Sequence, residues 1–250
     1  MILHLLFWIF LAGLVHSYLL YPLLLQWLAR KQTDTPCEMP ARDALPRVSV
    51  IIAAHNEEKV LEAKIRSVYN TEYPAELLDC YVGSDASTDN TPAILLQLEK
   101  KYSSLKFYIG QKRSGKTGMV NHLHKMARGD IFISTDANVF FDRKTIPELV
   151  RCFTDARVGI AGARILNKTA RQAEGISLQE KAFIERETRI KYNEGKLWGV
   201  MIGAFGGCYA IRRELVPEVP QNYAVEDFFI TMSVLKQGRR SVTALNALAY

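Results

Sequence analysis

Charge is missing from the start of this sequence. Met1–Ala29 contains no Lys, Arg, Asp or Glu and is dense in Leu, Ile, Phe and Trp. A helix needs roughly 20 apolar residues to cross a bilayer core, and this stretch is long enough. Met1–Leu6 also lacks the basic residue that opens a cleaved leader, and Tyr21–Leu25 prolongs the apolar run, so a retained membrane helix is expected. Trp27 suits the interfacial belt, and Arg30 and Lys31 follow directly; positive charge beside the helix marks the cytosolic side. Long basic runs are absent as well. The net charge of +6 over 250 residues is scattered, so no nucleic-acid partner is expected, while phosphorylated substrates and an anionic membrane surface are. Cysteine is sparse: Cys37, Cys80, Cys152 and Cys208 lie far apart with no C-x-x-C pair, which argues against a zinc site or a disulfide framework. With 48% hydrophobic and 23% charged residues, the chain is not of disordered composition.

Past the apolar start, Gln32–Pro46 reads as a linker, since Pro36, Pro40 and Pro46 hold neither a helix nor a central strand. The expected division is therefore an anchor over 1–31, a linker over 32–46 and one folded domain over 47–250. Arg47–Ala54, RVSVIIAA, is a β-branched strand run that ends in His55-Asn56-Glu57-Glu58 and passes into a helical pattern. Leu77–Val82 is a second strand, followed by Gly83–Thr91 and a helix opened by Pro92. Leu105–Ile109 is a third strand, Lys116–Ala127 a helix and Ile131–Thr135 a fourth strand. Strands alternating with helices predict a parallel, doubly wound α/β sheet. Ligands of such sheets sit beyond the carboxyl ends of the strands, where this chain collects His55–Glu57, Asp85 and Asp136. Asp136, with Asn138 two residues on, offers the oxygen ligands that a hard cation shared with diphosphate needs.

Gly110–Thr117, GQKRSGKT, satisfies G-x-x-x-x-G-K-[ST] and follows a strand, the signature of a nucleotide-hydrolysing phosphate loop. Its middle residues Gln111, Lys112 and Arg113 are bulky where backbone amides should wrap phosphate. Both readings give Lys116 a phosphate partner. Farther on, Glu174–Glu194 alternates charged residues with Phe183, Ile184, Ile190 and Tyr192, as an amphipathic helix over the sheet would. The cluster Gly203, Gly206 and Gly207 lets backbone approach a ligand closely. Trp198 and Phe205 are candidates to stack on a ligand ring.

Six segments in order resemble the family 2 glycosyltransferases. Val48–Glu58, VSVIIAAHNEE, is similar to the family's opening strand. Val82–Thr91, VGSDASTDNT, is similar to its VDDGSTDxT stretch, with Ser84 in place of the first Asp. Ser114–Leu123, SGKTGMVNHL, resembles its GKxxAlN segment. Asp136-Ala137-Asn138 takes the D-x-D position with Asn in place of the second Asp. Gly203–Arg213, GAFGGCYAIRR, resembles its glycine and Arg-Arg stretch, and Val225-Glu226-Asp227 its T-E-D motif. The likeness runs from Arg47 to Gly238.

The resemblance implies a GT-A type doubly wound nucleotide-binding sheet preceded by one transmembrane helix. It implies an inverting glycosyltransferase using a nucleotide-sugar donor, expected to be a UDP-sugar, with Mg²⁺ or Mn²⁺ held by Asp136 and Asn138. Ala53, His55, Glu57 and Asp85 would line the uridine and ribose, and Lys116 and Asp136 the diphosphate. Asp227 would be the general base, with Glu226, Gly206 and Trp198 on the acceptor side. The expected acceptor is a lipid-linked or polysaccharide glycan, and the expected setting a single-pass anchor in a bacterial inner membrane with the catalytic domain cytosolic. The alternatives are the phosphate-loop NTPase and a non-catalytic nucleotide-sugar-binding protein. The sequence stops at Tyr250 straight after the strand-like Arg240–Leu245 and holds no Q-x-x-R-W segment, so either a non-processive enzyme or a fragment of a longer chain is expected.

Overall fold

Seven strands form one sheet in the order β3-β2-β1-β4-β6-β5-β7. They are β1 Val48–Ala54, β2 Leu78–Ser84, β3 Leu105–Ile109, β4 Ile131–Asp136, β5 Val158–Ile165, β6 Cys208–Arg212 and β7 Arg240–Ala249. The computed structural model describes residues 1–32, 38–166, 176–221, 223 and 225–250. Cys37, Pro36 and Glu174 therefore lie outside the described residues, while Cys80, Cys152 and Cys208 are in no disulfide among the described residues.

β1, β2 and β4 are buried almost throughout, as their unbroken apolar runs predict for strands covered on both faces. Alternation along β1 sends Val48, Val50 and Ile52 to one core and Ile51 to the other. The first core is closed by α3 Leu61–Tyr69, α4 Thr91–Lys101 and α6 Thr145–Arg151. The second is closed by α5 Gly115–Met126 and α8 Glu226–Lys236. Gly83 lets α5 lie close on β2, because a Cβ there would stand 2.2 Å from the Met119 sulfur.

The four strands read from the sequence are parallel, as expected. The sheet as a whole is mixed: β6 runs antiparallel to both β4 and β5. That reversal places the start of β6 at the same edge as the end of β4, with Thr135 paired to Cys208. The glycine turn before β6 is thereby delivered next to Asp136. β5, β6 and α6 were not anticipated as separate elements.

The apolar start is helical as α1 Ile2–Val15 and α2 Tyr21–Ala29, joined by a π-helical turn over His16–Leu20. Together they make one helix, Ile2–Ala29, long and apolar enough to cross a membrane, with mean hydropathy 1.9. No side chain of α1 is buried. On α2, Leu25 and Ala29 are buried where this helix packs on α7, Ile176–Trp198. Tyr21 donates to Glu194 at 2.5 Å, and Arg186 donates to the Tyr18 carbonyl. Lys31 stands 4.7 Å over the Trp27 ring, a cation on an interfacial aromatic.

Candidate active site

Register sets the site. Ala53 of β1 lies beside both Gly83 of β2 and Asp136 of β4, so three strands end level and their loops open on one edge. The first two loops are laced together. Asn56 accepts the Thr88 N–H at 2.8 Å, and its own N–H meets Ser87 Oγ at 3.1 Å. The Glu57 N–H donates to Thr91 Oγ1 and the Glu58 N–H to Asp89. Asp89 also accepts the Thr91 N–H at the start of α4, so Ser87, Thr88 and Asp89 build the turn and helix start that their residue types suggest. Asn56 and Ala86 adopt φ of 57° and 52°, a left-handed conformation that is costly for alanine. Both flank the candidate donor residues.

Asp85 is buried and its carboxylate is fully engaged. Oδ1 accepts the Ser114 N–H at 2.7 Å and the Ser114 hydroxyl at 3.0 Å, and Oδ2 accepts the Gly115 N–H at 2.9 Å. Arg113 Nε lies 3.3 Å from Oδ2. An anion here satisfies amides that the first turn of α5 leaves open, and His55 Nδ1 donates to the Asp85 carbonyl at 2.8 Å. Asp85 thus joins the His55 loop to the loop that launches Lys116. A nucleobase contact from Asp85 would require one of these bonds to give way. The same geometry bears on the phosphate-loop reading of Gly110–Thr117. The Ser114 and Gly115 amides close on an internal carboxylate instead of leaving a cradle for phosphate.

Lys116 reaches from α5 into the centre of the edge. Its Nζ is 2.9 Å from Asp136 Oδ1 and 2.6 Å from Glu226 Oε1. Burial disfavours the ammonium, but Asp136 and Glu226 outweigh it and hold the Lys116 pKa above its ordinary value. Glu57 feels the same field from the other side. Its carboxyl is pushed up first by burial and then by Asp136 and Asp89, with His55 acting in the opposite direction. Asp136 and Glu226 therefore share one ammonium, with Glu57 in the field of Asp136.

Asp227 opens α8 beside Glu226. Its Oδ1 accepts the Phe228 N–H at 2.8 Å, and a Cβ on Gly206 would lie 2.8 Å from its Oδ2. The glycine is what lets this carboxylate stand against the turn before β6. The next residue completes the link, since the Gly207 carbonyl accepts the Asp136 N–H at 3.1 Å and the Thr135 hydroxyl at 2.9 Å.

The expected residues thus fall into one connected set: Ala53, His55, Glu57, Asp85, Lys116, Asp136, Gly206, Glu226 and Asp227. Trp198 stands exposed at the end of α7 and is not joined to them by these contacts. Asn138 is exposed. Among the described residues no cluster of three His, Cys, Asp or Glu side chains is arranged to hold a metal. The donor set still fits a hard cation completed by ligand phosphate: Asp136 is partly exposed, its neighbours offer oxygen, and the surplus charge is negative.

Two features escaped the sequence reading. One is the role of Glu226 as an ion-pair partner of Lys116. The other is Lys64 of α3, fully buried beneath the Asp136 turn. Its signal was present, because Lys64 falls on the apolar stripe of Leu61, Ile65 and Val68.

The family model described as glycosyl transferase family 2 matches residues 49–219. A beta-monoglucosyldiacylglycerol synthase of Nostoc sp. is 33% identical over 123 residues, which is 48% of this chain and 26% of that protein. The chain therefore spans about a quarter of that relative's length. Among solved structures, the mannosyltransferase PcManGT from Pyrobaculum calidifontis, in complex with GDP-Man and Mn²⁺, superposes with TM-score 0.74 at 25% identity, over 95% of this chain and 66% of that one. S. aureus TarS in complex with UDP-GlcNAc superposes with TM-score 0.60 at 18% identity, over 82% of this chain and 57% of that one, and supports the fold alone.

Proposed function

The chain belongs to glycosyl transferase family 2, and on that footing we propose that it moves a sugar from a nucleotide-sugar donor to a hydroxyl of a lipid-linked or polysaccharide acceptor. We take residues 1–31 as the anchor, 32–46 as the linker and 47–250 as the catalytic domain, which works at the cytosolic membrane face. The observation that carries the reading is the convergence of Lys116, Asp136 and Glu226 on one strand edge, with Asp227 against the adjoining glycine turn.

In this reading Ala53, His55 and Glu57 bound the pocket for the nucleoside, taken to be uridine, and Asp85 braces its wall. Lys116 offers its ammonium to the donor diphosphate. Asp136 and Asn138 would hold Mg²⁺ or Mn²⁺, which when bound offsets charge on the departing diphosphate. Asp227 accepts the proton of the acceptor hydroxyl. As that oxygen bonds to the anomeric carbon, the carbon–oxygen bond to the diphosphate breaks and its electron pair leaves with the nucleotide. One displacement from the opposite face inverts the anomeric configuration. Gly206 keeps the base close to the turn that also braces Asp136, so base and diphosphate site are positioned together. The name of the Nostoc relative supports a lipid acceptor, and the apolar helix Ile2–Ala29 would hold the domain at the surface to which a lipid-borne acceptor is confined.

The test is a thermal-shift panel of UDP, GDP, ATP and their sugars with and without Mn²⁺, followed by turnover measurements in membranes. The expected result is stabilisation by a nucleoside diphosphate or its sugar that needs Mn²⁺. Asp136→Ala should abolish it, while Asp227→Asn should bind but not turn over. A shift confined to GDP compounds would replace uridine while leaving the transferase reading in place. A shift confined to ATP, or undiminished turnover by Asp227→Asn, would overturn the scheme.

A further inference from the structure

Lys64 is the largest charged side chain sealed inside the domain. Its Nζ donates to Thr135 Oγ1 at 2.9 Å and to the Val139 carbonyl, and stands 3.8 Å over the Phe141 ring. Thr135 and Val139 are the two ends of the turn that carries Asp136 and Asn138. The contact continues outward. Thr135 Oγ1 donates to the Gly207 carbonyl at 2.9 Å, which also accepts the Asp136 N–H at 3.1 Å. One ammonium on α3 therefore ties down both feet of the turn and, through Thr135, the glycine turn that borders Asp227.

Stability gives no reason for a lysine here. No carboxylate lies within ion-pair distance of Nζ among the described residues, and the ammonium has only a hydroxyl, a carbonyl and a ring face. Burying such a charge is costly, and an apolar side chain of similar volume commonly does as well or better. Met has the length and flexibility to fill the same space beside Leu61, Ile65 and Val68. A residue that opposes folding and is spent on one turn points to that turn's function.

We propose that Lys64 is a positioning residue of the donor site, clamping Thr135 and Val139 from beneath so that Asp136 presents its carboxylate in a fixed place to the nucleotide diphosphate and its cation. This rests on the donor-site reading of the strand edge. It acts through Asp136 and touches no substrate. Partners that hold a metal ligand in place typically matter by 10–100-fold in metal affinity, and a loss of that order is expected here.

The experiment measures Mn²⁺ binding by electron paramagnetic resonance in the presence of UDP or GDP, without any turnover. Wild type, Lys64→Met and Thr135→Val are compared, each with its melting temperature. The expected result is tight Mn²⁺–nucleotide binding by wild type, weakened at least tenfold in Lys64→Met with no fall in melting temperature, and weakened less in Thr135→Val. Wild-type affinity in a folded Lys64→Met protein would overturn the proposal. A purely packing role would lower the melting temperature and leave Mn²⁺ affinity unchanged. Should Lys64→Met fail to fold, Thr135→Val decides: unchanged affinity overturns the clamp. Wild type that binds no Mn²⁺–nucleotide would refute the donor-site reading itself, and the clamp with it.

Discussion

Replacing Lys64 with Met should make the protein's stability less dependent on pH, in a direction the structure fixes. Burial lowers the Lys64 pKa from 10.5 to about 7, while Cys208, Cys80 and Asp136 act the other way. In the unfolded chain the side chain titrates near its ordinary value. Between those two values the unfolded state holds a proton that the native state lacks, so stability rises with pH through this window. Below the folded value both states are protonated and the penalty is complete. The lowering of the Lys64 pKa corresponds to roughly 4–5 kcal/mol against folding at neutral pH. Met carries no such penalty. It does leave the Val139 carbonyl without its donor, which costs about 1–3 kcal/mol at every pH.

The informative quantity is therefore the difference between variant and wild type as pH changes. From pH 7 to pH 9 the advantage of the Met variant should shrink by roughly 2 kcal/mol. For a chain of this size that is a change of about 4–8 °C in the gap between the two melting temperatures. Cys80 and Cys208 are themselves pushed up to about 12 by burial, which lowers stability above the thiol range in both proteins and largely cancels in the comparison. Melting followed by near-ultraviolet circular dichroism in detergent, at several pH values, provides the curve. A gap that stays constant across the window would refute the reasoning, because Lys64 would then keep its proton in the folded state.

Two further outcomes follow from the strand edge. Gly206→Ala places a methyl 2.8 Å from Asp227 Oδ2, so the carboxylate must move; turnover should fall on the order of 10²-fold with little change in melting temperature, and unaffected turnover would show that Asp227 is not held for reaction. Lys116→Met removes the ammonium proposed to meet the donor diphosphate along with its contacts to Asp136 and Glu226, so the donor KM should rise about 10–100-fold, and neither wild type nor this variant should hydrolyse ATP; ATP hydrolysis lost with Lys116 would restore the phosphate-loop reading.

β1, β3 and β4 fall within a residue of their expected limits. β1 and β4 are buried almost throughout and read as unbroken apolar runs, whereas β3, mostly exposed at the sheet edge, is legible from its Leu, Phe, Tyr and Ile. β5 escaped because Gly159, Ala161, Gly162 and Ala163 have weak strand preference; a Cβ on Gly159 would stand 2.6 Å from Val234, and one on Gly162 would meet Met201 and Ala204. β6 was hidden inside a stretch read for its glycines. At the site, residue types were legible and partners were not. Asp85 was placed at the correct strand end, but its bonds to Ser114 and Gly115 depend on how a distant loop folds back. Lys116 meets Glu226 only because α8 arrives beside α5. Lys64 was passed over because a charged residue in a helical pattern is ordinarily taken for the solvated face, although its spacing from Leu61 and Val68 put it on the apolar one.

The charge around the edge argues for the order in which this site fills. Asp136 and Glu226 share one ammonium, a formal surplus of one negative charge, and the nearby Glu57 carboxyl is pushed up first by burial and then by Asp136 and Asp89. A diphosphate alone would add charge of the same sign and be repelled, whereas a divalent cation brings what is missing. The cation and the nucleotide should therefore enter together or the cation first. Lys116 is the group whose partners must then change. In the proposed donor site, a cation held by Asp136 would compete with Lys116 for that carboxylate and leave the ammonium to the diphosphate. Glu226 would remain the partner of Lys116 from the α8 side, which would couple occupation of the proposed site to the helix that begins Glu226-Asp227.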